Sequence, residues 1–373
     1  METEYDYLVV GSGLYGAVFA HEMAKRGRRV LVLEKRPVIG GNIRTEEREG
    51  ISVHCYGPHI FHTDKREVWD YVNRLTPFEP FVYSPLANFH GELYSLPFNM
   101  RTFYALFGTR TPEETQAKLD AERAPYAELE PANLEEQALK LVGLTVYQKL
   151  IQGYTEKQWG RACRDLPAFI IRRLPVRMRY DGNYFNDRFQ GISEKGYTAL
   201  IEALLSGIEV QTGVDFLEQR ERWTSMAGRV LYTGRIDAYY GECYGALDFR
   251  SLRFETELLE QENYQGIAVM NFTAKGVPYT RITEHKHFLP HREPVPVTII
   301  SREYPAPFTA GSEPYYPVND AENGALYAKY AERAKAEPKV FFGGRLGLYR
   351  YYNMDQIIEL ALEAARIEGD KEQ

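Results

Sequence analysis

The sequence predicts an α/β chain in which a parallel-sheet domain is interrupted by a helical insert and by an antiparallel β-sheet insert. Three observations carry that expectation. First, the apolar run Tyr7 to Val10 enters a glycine turn, a helical stretch follows, and a second apolar run, Val30 to Glu34, closes a strand–helix–strand unit. Second, residues 246–259 alternate: Leu252, Phe254, Thr256 and Leu258 share one face while Arg253, Glu255 and Glu257 share the other, as in a half-buried antiparallel strand. Third, Lys339–Phe342 reads as a strand, Gly343-Gly344-Arg345 as a turn, and Asn353 as the cap of a last helix with Gln356 three residues on, so the opening domain resumes.

The glycine turn is Gly11-x-Gly13-x-x-Gly16. Gly11 permits a tight turn, Gly13 lets the backbone approach a pyrophosphate, and Gly16 lets helix and strand pack closely. Glu34 ends the second run, about 20 residues on, where a carboxylate accepts the ribose hydroxyls of an adenosine. The pattern therefore predicts a Rossmann-like dinucleotide-binding domain. Lys35-Arg36 and Ile39-Gly40-Gly41-Asn42 follow directly. A basic residue and a glycine pair there suit a loop wrapping a long resident cofactor, and with that the segment resembles flavoproteins, which implies FAD over an exchanging nicotinamide; a surface turn is the other reading of Gly40-Gly41.

Bulk properties narrow the class. At 373 residues the chain is long for one core. A net charge of −7 argues against nucleic-acid and anionic-membrane partners. The start Met1-Glu-Thr-Glu-Tyr lacks the basic and apolar regions of a secretion signal, and no apolar run approaches membrane-spanning length. Cys55, Cys163 and Cys243 are scattered, with neither a disulfide framework nor zinc spacing, so a reducing cytoplasm is expected. The chain has 28 Tyr, whose apolar faces and polar tips suit stacking on bases and bonding to phosphate oxygens.

Between the outer segments, Thr111-Pro112-Glu113-Glu114 and Asn133-Leu-Glu-Glu136 read as capped helix starts, with Leu134, Ala138, Leu141 and Thr145 on one face of the second helix. Val277–Arg281, Lys286–Leu289 and Val295–Ile300 read as short strands. Tyr154-Thr155-Glu-Lys-Gln-Trp159-Gly160, Arg172-Arg173-Leu-Pro175-Val-Arg177 and Asp181-Gly-Asn-Tyr184-Phe185-Asn186 form an Arg- and aromatic-rich stretch suited to a nucleoside diphosphate: guanidinium forks grip phosphates and aromatics stack the base. Pro278-Tyr-Thr-Arg281, Pro314-Tyr315-Tyr316-Pro317 and Tyr351-Tyr352 add an arginine and more phenols. The pairs His59/His62 and His285/His287 favour hydrogen-bonding roles over metal ligation. His62, after the Gly57-Pro58 turn, is placed to set an imidazole beside a flavin ring.

Gly57-Pro-His59-Ile-Phe-His62-Thr, Ser95-Leu-Pro-Phe-Asn99-Met, Gly153-Tyr-Thr-Glu-Lys-Gln-Trp-Gly160, Arg173-Leu-Pro-Val-Arg177, Val277-Pro-Tyr-Thr-Arg-Ile282 and Glu284-His-Lys-His-Phe288 occur in that order. Together they resemble bacterial UDP-galactopyranose mutases, from about Tyr5 to the last helix. The resemblance implies interconversion of UDP-galactopyranose and UDP-galactofuranose by nucleophilic catalysis through N5 of reduced FAD. UDP leaves and returns without net redox change, and the product supplies galactofuranose for cell-surface polysaccharide. It further implies a discontinuous FAD-binding Rossmann-like domain (1–77, 193–241 and 318–373), a helical domain with a mobile lid (101–172) and an antiparallel sheet domain (78–100, 173–192 and 242–317). A cytoplasmic homodimer is expected.

Carried onto this chain, the resemblance makes Arg173 and Arg281 the pair on the diphosphate, with Arg173 on the lid and His62 beside the flavin. Flavin contacts are expected from Gly11, Gly13, Leu14, Gly16, Glu34, Lys35, Gly41, Asn42, His59, Arg345, Tyr352, Asn353 and Met354. Substrate contacts are expected from Tyr154, Thr155, Trp159, Tyr184, Phe185, Asn271, Tyr315, Tyr351 and Tyr83. Tyr83 stands where relatives carry Asn near the sugar, and Asn353 where they carry Asp. Tyr83 therefore motivates an alternative nucleotide sugar, dTDP-fucopyranose or UDP-N-acetylgalactosamine. The first 42 residues alone also fit an FAD-dependent oxidoreductase, and a non-catalytic nucleotide-sugar binder is a third class.

Overall fold

In the computed structural model, which describes residues 3–171, 175–309 and 311–371, one parallel sheet has the strand order Glu209–Thr212, Val30–Glu34, Tyr5–Val10, Ala227–Tyr232 and Val340–Phe342. Stretches far apart in the chain thus share one sheet. Its strands are apolar on both faces: Tyr7, Val9 and Val32 enter one core cluster with Phe19 and Met23, while Leu8, Leu31 and Leu33 enter another with Trp223 and Val230. That two-sided burial is what a parallel sheet covered by helices requires. The helix Leu14–Lys25 packs on the last helix, Met354–Asp370, closing the first face.

A second, seven-stranded sheet runs Tyr316–Pro317, Phe249–Leu259, Thr298–Pro307, Arg281–Glu284, Val269–Phe272, Leu86–Phe89 and Glu92–Ser95. Its pairs are antiparallel except that Val269–Phe272 runs parallel to Leu86–Phe89. Those two strands are joined by no hairpin, so nothing local imposes opposite directions. The alternating segment is an antiparallel strand as expected, paired with Thr298–Pro307, but its faces differ: the buried residues are Phe249 and Ser251, on the side of Arg253, while Leu252 and Phe254 are half-buried and Leu258 is exposed.

Two expected strands are absent. Lys286–Leu289 lies in a 3₁₀ turn, His285–Phe288, because His285 and Phe288 are both buried, a three-residue spacing that a strand cannot place on one side. Val277–Arg281 is a turn until Arg281, its carbonyls at Val277 and Tyr279 being drawn to the Lys157 ammonium. The helix Leu134–Val146 buries Leu134 and Ala138 as expected, then Val142 and Val146 instead of Leu141 and Thr145. Gly143, at φ +77°, breaks the helical register there, and Glu122 takes the Thr145 N–H. Both helix starts in this insert are capped as read: Thr111 Oγ1 accepts from Glu114 N, and Asn133 Oδ1 from Glu136 N.

Glu284, at the end of the strand that begins with Arg281, is fully enclosed. Burial alone would raise its pKa; hydrogen bonds from His287, the Gln265 and Tyr264 N–H groups and Thr298 outweigh that and hold it at about 2, below the ordinary 4.5. A depressed carboxylate stabilises the fold above its unfolded pKa and loses that contribution as pH falls through the folded one. Glu284→Gln is therefore expected to be less stable at neutral pH and to lose less stability between pH 4.5 and 2. Urea midpoints against pH check this; parallel wild-type and variant curves would refute it.

Candidate active site

A cavity of about 930 Å³ opens between the parallel sheet, the helical insert and the seven-stranded sheet. Gly11, Gly13, Leu14, Gly16, Glu34, Lys35, Gly41, Asn42, His59, Arg345, Tyr352, Asn353 and Met354 line it, as do Tyr83, Tyr154, Thr155, Trp159, Tyr184, Phe185, Asn271, Tyr315, Tyr351, His62 and Arg281. Arg173 lies outside the described residues.

One wall is built from backbone. Gly11 has φ +106°, and a Cβ on Gly16 would sit 2.1 Å from the Gly11 carbonyl oxygen. Gly13 is different: its Cβ would meet nothing nearer than Gly41 Cα at 3.9 Å, so its open side faces the cavity. The helix Leu14–Lys25 begins at Gly13 without a side-chain cap, leaving its first N–H groups to an anion. Glu34 is fixed chiefly by Ser12, which the sequence did not single out. Its Oε2 accepts from Ser12 N (2.9 Å) and Ser12 Oγ (2.6 Å), its Oε1 from Arg36 N (2.9 Å), and Gly40 N reaches Ser12 Oγ at 3.3 Å. Ser12 thus ties together the turn, the acid and the glycine-pair loop.

Lys35 lies at the rim with its side chain 77% exposed and its ammonium 2.9 Å from Asp215. The enclosed basic group is Arg36, bonded to Asn42 Oδ1 and Glu313 and stacked over Tyr56, with Nη1 buried and unpartnered. Arg345 donates from Nη2 to the Tyr315 carbonyl, lies over the Tyr351 ring at 4.4 Å, and leaves Nε buried without a partner. Asn353 N donates to Gln356 Oε1, so the last helix starts as its sequence suggests. A glycine cradle, an adenosine-type carboxylate and two orphaned guanidinium nitrogens fit an elongated dinucleotide bearing a pyrophosphate.

The histidines face this wall differently. Burial holds His59 neutral, with a pKa near 4; its Nδ1 lies 2.9 Å from the Gly57 carbonyl, and its N–H donates to His54 Nδ1. His62 stacks on Phe185 with centroids 3.7 Å apart, and its Nδ1 is 2.8 Å from Asp187 Oδ2. Asp187 was missed in the sequence, although it follows Phe185 by two residues on the same loop.

The opposite wall carries the arginine and phenols. Gly153–Trp159 is a helix that presents Tyr154, Thr155 and Trp159. Arg281 Nη2 donates to Tyr154 OH at 2.8 Å, and burial pushes that phenol's pKa up. Arg281 Nε lies 3.4 Å from Glu303 Oε1, too poorly aligned for a hydrogen bond but close enough for an ion pair. Glu303 faces Arg281 in strand register and is almost wholly buried. Asn271, also in register with Arg281, leaves Oδ1 buried and unpartnered. Tyr83 is buried with its ring 5.3 Å from Tyr184 and 5.6 Å from Phe185, and burial raises its pKa. Tyr315 is buried, whereas Tyr351 is exposed and 5.6 Å from Tyr316.

Comparison with known proteins agrees with this geometry. The family model for UDP-galactopyranose mutase matches residues 149–351, and one for NAD(P)-binding Rossmann-like domains matches residues 9–75. The chain is 42% identical to a probable UDP-galactopyranose mutase of Klebsiella pneumoniae, over 96% of this chain and 93% of that one. It is 40% identical to a dTDP-fucopyranose mutase of Escherichia coli, over 96% and 97%. A UDP-galactopyranose mutase of Mycoplasma pneumoniae is 30% identical over 97% and 96%. A solved reduced UDP-galactopyranose mutase shares the fold, with a TM-score of 0.74 over 97% of this chain and 94% of that one at 13% identity. The cofactor that fits this cradle is FAD. The chain belongs to the UDP-galactopyranose mutase family.

Proposed function

We propose that the protein interconverts UDP-galactopyranose and UDP-galactofuranose. The observation that carries this reading is one cavity shared by a dinucleotide cradle and the Arg281–Tyr154 pair. Bound in reduced form, FAD supplies a nucleophilic nitrogen, N5, and ends each turnover in the redox state in which it began. The chain's own residues do the rest. Arg281 holds the diphosphate as it departs and keeps it for return, its charge fixed by Glu303 behind it. Tyr184, Tyr315 and Tyr351 bond phosphate oxygens, Tyr154 and Phe185 hold the uridine, and Thr155, Trp159, Asn271 and Tyr83 bound the sugar. Arg173 completes the diphosphate clamp from the lid. His62, oriented by Asp187, stands beside the flavin, and the remaining cradle residues, with Lys35 at the rim, hold it. Lid closure over the loaded site would exclude water and protect the glycosyl group from hydrolysis.

The same reading takes the three domains as bounded above, a cytoplasmic homodimer without nucleic-acid partners, and galactofuranose delivery to cell-surface polysaccharide. No helix among the described residues is long and apolar enough to cross a membrane. A second reading, dTDP-fucopyranose as substrate, is favoured by the buried Tyr83 ring and by the dTDP-fucopyranose mutase relative.

Dithionite-reduced protein offered UDP-galactopyranose, dTDP-fucopyranose and UDP-N-acetylgalactosamine is expected to form UDP-galactofuranose with the highest kcat/KM. The reductant is not consumed in proportion to product. Preference for the dTDP sugar would establish the second reading. Stoichiometric consumption of an electron acceptor, with no furanose formed, would make the chain an oxidoreductase.

A further inference from the structure

Lys157 lies on the helix Gly153–Trp159 but does not line the cavity. Its ammonium lies within hydrogen-bond distance of four main-chain carbonyls, those of Phe272 (2.8 Å), Ala274, Val277 and Tyr279 (each 3.0 Å), its three protons being shared among them. The loop that supplies these carbonyls starts just after Asn271 and ends just before Arg281, and both of those side chains line the cavity. The helix itself carries Tyr154, Thr155 and Trp159 into the same cavity.

The two backbones are in close contact. A Cβ on Gly153 would come within 2.3 Å of the Thr273 carbonyl oxygen, and Thr273 Oγ1 donates to the Lys149 carbonyl at 2.6 Å. Glu156 pairs with Lys275 across the same seam. Four carbonyls turned inward in one loop would repel one another without a cation among them. Desolvation brings the Lys157 pKa down to about 8, so the amine is still mostly charged at neutral pH.

We infer that Lys157 is a positioning residue: a carbonyl-caged ammonium that fixes the 272–280 loop beneath the Gly153–Trp159 helix and so sets the Arg281–Tyr154 contact that receives the nucleotide diphosphate. The inference rests on the reading of Arg281 and Tyr154 under the proposed function. Methionine at this position keeps the unbranched stem, one atom shorter, and removes the charge. Without the cation the loop relaxes, Arg281 and Tyr154 separate, and the diphosphate grip loosens, while the glycine cradle on the other wall is untouched.

The test is UDP titration of oxidised, flavin-loaded Lys157→Met beside wild type, by calorimetry, with flavin content and Tm measured on the same samples. The expected result is a UDP Kd about tenfold weaker or more, with flavin content unchanged. A purely structural lysine would lower Tm without this selective loss. A Kd within twofold of wild type in flavin-loaded variant would overturn the inference. Should Lys157→Met lose its flavin, Lys157→Gln, which keeps a carboxamide donor, carries the same comparison. Failure of both to fold would also overturn it, making Lys157 a folding residue and not a site residue. Wild-type protein that fails to bind UDP would instead sink the functional reading beneath it.

Discussion

Arg281→Ala is expected to lower kcat/KM for the reduced enzyme by about 10²–10³-fold while flavin content stays at the wild-type level. The guanidinium meets the Tyr154 hydroxyl at the cavity wall and is the cation placed to balance a departing diphosphate among the described residues of that wall. Its removal should raise the UDP Kd as well, because the same contacts hold the bound nucleotide. A second effect has a separate cause. Glu303 is almost wholly buried and faces Arg281, so the alanine variant strands a carboxylate, at a stability cost of about 3–5 kcal/mol. Adding Glu303→Gln removes that stranded charge. The double variant should therefore regain denaturant resistance and remain catalytically impaired. Undiminished turnover in Arg281→Ala would remove this residue from the site, and recovery of turnover in the double variant would make its effect one of folding only.

Gly16→Ala is expected to yield protein without bound flavin and with a lowered Tm. The new methyl would lie 2.1 Å from the Gly11 carbonyl oxygen and 3.0 Å from Val9 Cγ1. Both obstacles belong to the strand and turn that form the cradle, so relief must open the turn itself. Overpacking in a well-filled core costs about 1–3 kcal/mol even where side chains can move, and here the first obstacle is backbone. Gly13→Ala provides the control, since its nearest protein atom is 3.9 Å away. It should fold with a near-wild-type Tm yet hold flavin more weakly, because the methyl intrudes where the pyrophosphate approaches. The visible flavin band of the purified protein and a thermal melt report both quantities. Flavin-replete Gly16→Ala would refute the packing argument.

These two sites mark what the sequence makes legible. Gly16 acts on Gly11, a neighbour close in the chain, and the spacing of Gly11, Gly13, Gly16 and Glu34 alone points to the turn they build. The helix starts at Thr111 and Asn133 are local in the same way. Groups whose partners arrive by tertiary packing were not legible. Glu303 matters because of strand register with Arg281, and Asp187 because a strand pairing brings its loop to His62. Ser12 hides between two glycines, and Arg36 differs from Lys35 only in which way the chain turns after Glu34. The errors have the same origin. His285 and Phe288 turn inward together in place of the expected strand, and the Lys157 ammonium, from another helix, draws in the Val277 and Tyr279 carbonyls.

The parallel sheet also constrains how the chain acquires its shape. Its central strand, Tyr5–Val10, lies between Val30–Glu34 and Ala227–Tyr232, and one edge strand, Val340–Phe342, comes from far along the chain. On the ribosome, Tyr5–Val10 therefore has one unpaired side until Ala227–Tyr232 has emerged. Pairings between such distant segments are slow to form, and exposed strand edges invite aggregation meanwhile. Closure of this sheet therefore waits for segments far apart in the chain to meet, independently of how stable the finished sheet is.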